Sequence, residues 1–65
     1  MKMSVTASVR LYEWQILESP KLFEWLTDNV GQRGQTWDIF RNSDHSGVFM
    51  FSNEKDATMF ALMYK

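Results

Sequence analysis

Thr36-Trp37-Asp38-Ile39-Phe40-Arg41-Asn42-Ser43-Asp44-His45-Ser46-Gly47-Val48-Phe49-Met50-Phe51-Ser52 is the stretch on which the fold turns. Its first six residues place Trp37 and Ile39 on one side and Phe40 on the other, the period-2 pattern of a strand. Asn42 to Gly47 is an unbroken run of polar or turn-favouring residues, which predicts the loop of a β-hairpin. The returning strand, Val48 to Ser52, opens with four consecutive apolar residues. With no polar face of its own, it is expected to be covered on both sides.

Working outward toward the C-terminus, Ser52 or Asn53 can cap a helix from Glu54 to about Tyr64, and Glu54 and Asp56 sit in its first turn where the helix dipole favours anions. Ala57, Phe60, Ala61 and Tyr64 form one stripe, and Met59, Leu62 and Met63 fall on the opposite side. A helix apolar nearly all round calls for a cover on both faces. A domain this small has too few elements to supply both, so a partner surface is the simplest cover. Methionine suits such a surface because its flexible, polarizable side chain adapts to irregular contacts.

Toward the N-terminus, Met3, Val5, Ala7, Val9 and Leu11 alternate with Ser4, Thr6, Ser8 and Arg10, which predicts a half-buried strand. After Leu11 the phase flips, and Tyr12, Trp14 and Ile16 become the apolar set. Two explanations stand: a bulge near Leu11 and Tyr12 that restores one inward face, or a strand whose second half turns Tyr12, Trp14 and Ile16 to the other face, toward water or a partner. Ser19-Pro20 then reads as a helix start, with the serine hydroxyl as cap and proline at the first helical position. Leu22, Phe23, Trp25, Leu26 and Val30 share one side of a helix from Pro20 to about Val30, Gly31 suits its C-terminal cap, and Gln32 to Gln35 reads as a polar loop.

These elements give one α+β domain over residues 1–65 in the order β-α-β-β-α, a small three-stranded sheet with two helices on one face. A right-handed crossover joins the first strand to the hairpin. The topology resembles a ferredoxin-like fold that lacks its last strand, since the sequence stops at Lys65. The sheet face without helices is expected to show aromatics or to dock on a second copy.

Composition narrows the function. The chain has 65 residues, no cysteine, five phenylalanines, three tryptophans, two tyrosines, five methionines and a net charge of −1. At this length only about 60% of the unfolded surface is buried on folding, which leaves stability marginal, and neither disulfides nor thiolate zinc can compensate. The charge balance gives no general attraction to nucleic acid or anionic membrane. No apolar run approaches the roughly 20 residues of a membrane helix. Met1 to Thr6 forms no continuous apolar core of a signal peptide, so a cytoplasmic location is expected.

No motif for catalysis or cofactor binding stands out. Asp44-His45-Ser46 holds the three residue types of a nucleophilic triad, but neighbours along a loop do not meet in the required chain of hydrogen bonds. His45 has only Asp38 and Asp44 as close co-ligands for a metal. Asn42-Ser43-Asp44-His45-Ser46-Gly47 begins like a calcium loop, yet Asn53 stands at the twelfth position where glutamate is needed. Gly31 and Gly34 match no phosphate-binding loop. The expectation is therefore no enzyme, no cofactor and no metal.

Two binding readings remain. The first is a protein-interaction module, self-associating as a homodimer or binding another protein through Met59, Leu62 and Met63 or through Tyr12, Trp14 and Ile16. Aromatic and methionine enrichment is typical of interface centres. The second is single-stranded nucleic acid on an aromatic sheet face, with Tyr12, Trp14 and Trp37 stacking bases and Lys2, Arg10, Arg33 and Arg41 at its edge. In the second reading Arg10, Trp14, Trp37 and Arg41 carry the contact. Against it stand Glu13, Glu18 and Asp38 nearby and the lack of an RNA-recognition motif.

The closing segment, Phe51 to Lys65, resembles the ends of small uncharacterised proteins from tailed bacteriophages. The residues that carry the likeness are Phe51, Asp56, Ala57, Phe60, Leu62 and Tyr64, and nothing upstream aligns. The resemblance implies a small early or accessory phage protein that acts in the infected host cell by binding a host or phage protein.

Overall fold

The computed structural model describes residues 3–65. The elements follow in the order β1 (Ala7–Tyr12), α1 (Glu13–Leu17), α2 (Leu22–Asn29), β2 (Trp37–Arg41), β3 (Ser46–Phe51) and α3 (Glu54–Tyr64). The strands form one antiparallel sheet in the order β1-β3-β2. β1 and β2 both run against β3 and therefore parallel to each other, separated by the strand between them. The class is α+β as the sequence predicts, with one more helix than expected.

That extra helix resolves the phase flip after Leu11, and neither a bulge nor a change of face is the answer. The chain leaves the sheet at Tyr12 and winds into α1. Gln15 Oε1 accepts from the Tyr12 amide at 2.8 Å, and Ile16 turns inward. Gly47 makes room for it: a Cβ there would lie 3.3 Å from Ile16 Cδ1 and 3.3 Å from Ile39 Cδ1. A five-residue helix has little stability of its own, so this fit holds it.

The first strand is shorter than its alternation suggests, because Met3 to Thr6 lie outside the ladder. Thr6 still meets the end of the sheet, donating its amide to Phe51 O at 2.8 Å and its hydroxyl to Ser52 O at 3.0 Å. α2 begins two residues after Pro20, with Lys21 as its cap residue and no side-chain cap bond. Ser19 instead belongs to the turn out of α1: its amide donates to Ile16 O at 3.1 Å and its carbonyl accepts from Leu22 N at 3.0 Å. α2 ends before Gly31, whose positive φ of 137° suits glycine. α3 has the expected bounds, and Asn53 caps it by accepting from Lys55 N at 2.9 Å.

One sheet face carries the core. Val9, Leu11, Trp37, Phe49 and Phe51 point to it and pack against Ile16 of α1, Leu22 and Leu26 of α2, and Ala57 and Phe60 of α3. The Phe60 ring lies 4.7 Å from that of Phe49 and 5.3 Å from that of Phe51. Phe23 and Trp25 extend the aromatic layer onto Trp37, Phe49 and Tyr64. Each fully buried phenylalanine contributes about 1.5–3 kcal/mol by transfer from water. All three helices thus share this face. β3, expected to be covered on both faces, is instead paired on both edges: Val48 and Met50 lie on the open face and are only half-buried.

Candidate interaction surface

β3 is the central strand, so β1 and β2 each have a free edge. Which backbone groups point outward follows from the ladder phase. Glu13 N donates to His45 O at 2.7 Å and Asn42 N to Ser46 O at 2.8 Å. In an antiparallel pair, hydrogen-bonded and non-bonded positions alternate. The odd residues of β1 therefore bond to β3, and the amides and carbonyls of Ser8 and Arg10 point outward. By the same alternation Trp37, Ile39 and Arg41 point outward from β2.

The β2 edge is closed by its own chain in its first half, at Trp37 and Ile39, while among the described residues the Arg41 amide and carbonyl take no such bond. Trp37 O accepts from Gly34 N at 2.7 Å, and the Ile39 amide donates to Asp38 Oδ1 at 2.8 Å. Arg33 Nε holds the same carboxylate oxygen at 2.9 Å. The Arg33 hydrogen bond, followed by that from the Ile39 amide, lowers the Asp38 pKa below the ordinary carboxylate range. The loop that supplies Arg33 and Gly34 is fastened by Trp37 Nε1, which donates to Gly31 O at 2.7 Å, and by the Thr36 hydroxyl, which donates to Val30 O at 3.0 Å.

On the β1 edge the Tyr12 amide alone among the described residues is satisfied, by Gln15. Among the described residues no bond reaches the Ser8 or Arg10 amide from the free side. Beside this edge runs a groove of about 260 Å³ lined by Ala7, Ser8 and Val9 of β1 and by the flank of α3. Small side chains, Ala57, Thr58 and Ala61, keep it open, with Glu54 at one end and Lys65 at the other.

The outer side of α3 is as the stripe predicts. Leu62 is 82% exposed, and Met59 and Met63 are exposed beside it. The second expected set, Tyr12, Trp14 and Ile16, is not one surface. Ile16 is 8% exposed and belongs to the core, Trp14 is exposed on α1, and Tyr12 stands on the open sheet face. Five residues of helix scatter side chains that a strand would have aligned.

The nucleic-acid set is likewise divided. Trp37 is 3% exposed on the core face, so its ring offers no stacking surface. Trp14 lies on α1. Arg10 and Arg41 fall on opposite faces of the sheet by strand alternation. Lys2 lies outside the described residues. Leu17 and Phe40 are exposed apolar residues that the sequence did not nominate. Phe40 carried a signal in its opposite phase to Trp37 and Ile39, whereas Leu17 could be placed only once α1 was known.

The hairpin loop turns its polar residues on itself. Ser46 Oγ donates to Asp44 Oδ1 at 2.5 Å and accepts from Arg10 Nε at 3.3 Å and Asn42 Nδ2 at 3.2 Å. Arg10 also pairs with Asp44 and lies over the Tyr12 ring at 5.6 Å. The Ser46 hydroxyl, first, lowers the Asp44 pKa, with Arg10 adding to it. His45 supplies the loop's positive φ of 63° and approaches Glu13 Oε2 at 3.3 Å. Ser46 thus serves Asp44 and Arg10, and its proton is not directed at His45.

No family model, curated protein or solved structure matches this chain. Among the described residues no helix is long and apolar enough to cross a membrane.

Proposed function

We propose that this chain is a non-catalytic protein-interaction module that associates with itself, working in the cytoplasm. The resemblance of its closing segment supports an accessory role in a tailed bacteriophage, through binding of a host or phage protein. The observation that carries the reading is α3. Its inner stripe is spent on the core through Ala57 and Phe60, while Leu62, one of its largest apolar side chains, stands 82% exposed between two exposed methionines. Contiguous apolar surface on a small domain marks a contact site more often than a scattered leucine does.

Sedimentation equilibrium over a wide concentration range tests it. The unmodified protein is expected to show a concentration-dependent dimer, and Leu62→Asp a monomer with unchanged circular dichroism. A strict monomer in the unmodified protein would remove self-association. An unfolded Leu62→Asp variant would mean that Leu62 supports the monomer and not a contact.

A further inference from the structure

We propose that the free edge of β1 is the seat of a second copy of this chain, joined β1 to β1 in antiparallel register about a two-fold axis at Val9. The inference rests on the self-associating reading above and names its surface. Ser8 and Arg10 each present an outward amide and an outward carbonyl, as the ladder phase requires. Two-fold pairing places Ser8 opposite the second copy's Arg10, and the reverse, for about four backbone hydrogen bonds across the axis. The edge is its own complement, which is the condition for an isologous interface.

The groove adds a second match. α3 follows β3 through a two-residue connection and returns against it, and so runs along β1 from Glu54 to Lys65. A two-fold axis at Val9 sets α3 antiparallel to its copy, bringing Glu54 toward the second copy's Lys65 at both ends. Between these charges Ala57, Thr58 and Ala61 leave room for close approach. Leu62 lies one step around the helix from Thr58, on the same flank, and is covered by the same contact. A single extended peptide would satisfy the strand edge but would not meet both charged ends through symmetry.

Partial cover of the other edge favours β1 as the seat of pairing. Gly34 occupies the outward carbonyl of Trp37 and Asp38 the outward amide of Ile39, so the first half of β2 is covered and β1 is the more open edge. Two-fold pairing of β1 with itself uses that edge in both copies, so this contact closes at two and forms no open array. An edge contact of this kind falls in the weak class below about 1,200 Å² of buried surface.

Three variants test the proposal by sedimentation equilibrium, with circular dichroism at the same concentrations as a check on folding. Ser8→Pro removes an outward amide and no bond within the sheet, and should weaken the dimer at least about tenfold. Glu54→Lys should weaken it about fivefold at low salt by setting like charges together at both ends, and Glu54→Lys with Lys65→Glu should restore it. Were Ser8→Pro unfolded, the charge-reversal pair decides alone. A dimer indifferent to these substitutions would overturn the β1 edge and leave self-association standing. A monomer at every concentration up to about 1 mM would overturn both. Binding of an unrelated extended peptide by a protein that never dimerises would assign the edge to another partner.

Discussion

Along β2 the outward carbonyl of Trp37 takes a hydrogen bond from Gly34 and the outward amide of Ile39 gives one to Asp38. Along β1 the equivalent groups of Ser8 and Arg10 meet no partner among the described residues, and only the Tyr12 amide is capped. The two strands are of nearly equal length and pair with the same neighbour. What separates them is the chain that borders each. β2 is preceded by a loop that folds back along it, whereas β1 passes directly into α1 at one end and lies beside the α3 groove. An unpaired edge invites another strand, so the comparison teaches where this small sheet is partly covered by its own chain and where its edge is bare.

The comparison breaks first if the ladder phase is wrong. Val9→Pro removes an amide that faces β3 and should cost about 3 kcal/mol or more, enough to unfold a domain of this size, whereas Ser8→Pro should cost under about 1 kcal/mol. Urea denaturation separates the two, and equal losses would mean that the outward residues are misassigned. The next largest effect is expected at the closed edge. Gly31→Ala places a Cβ 2.5 Å from Thr36 Oγ1 at a φ of 137°. The loop that covers β2 must then shift, at a cost of about 2 kcal/mol in denaturation midpoint analysis.

The smallest effect sharpens the chemistry of the closed edge. Asp38 has a folded pKa below its unfolded value, so its contribution is present above about pH 4 and is lost as pH falls from there through the folded pKa. Its pair with Arg33 is largely solvent-exposed, and screening limits the contribution to about 0.5 kcal/mol. Asp38→Asn should therefore be less stable than the parent at pH 7 by about that amount. The gap should close below about pH 4 in parallel thermal melts, and a gap that grew with acid would contradict the assignment.

Much of this arrangement is legible along the chain, and the remainder depends on contacts between distant segments. α3 could be divided into an inner and an outer side because its 11 residues span three turns, enough for the helical period to repeat. The hairpin could be placed from its turn residues alone. α1 could not: in Tyr12, Trp14 and Ile16 a spacing of two mimics a strand, and the helix forms because Ile16 fits above Gly47, more than two dozen residues away. The readings that set Ile16 at an interface and Trp37 on a base-stacking face fail for related reasons. Alternation shows that Trp37 and Ile39 share a face, but which face receives the helices is set by the whole fold. Edge closure was equally hidden, since it rests on Gly34 and Asp38 reaching particular backbone groups of β2.

Amide hydrogen exchange, read residue by residue at two protein concentrations, tests the difference between the edges most directly. In dilute solution Ser8 and Arg10 should exchange rapidly and Ile39 more slowly, and at high concentration the Ser8 and Arg10 amides should become protected with Ile39 unchanged. Protection of Ser8 and Arg10 already in dilute solution, or exchange at both positions that ignores concentration, would contradict the account.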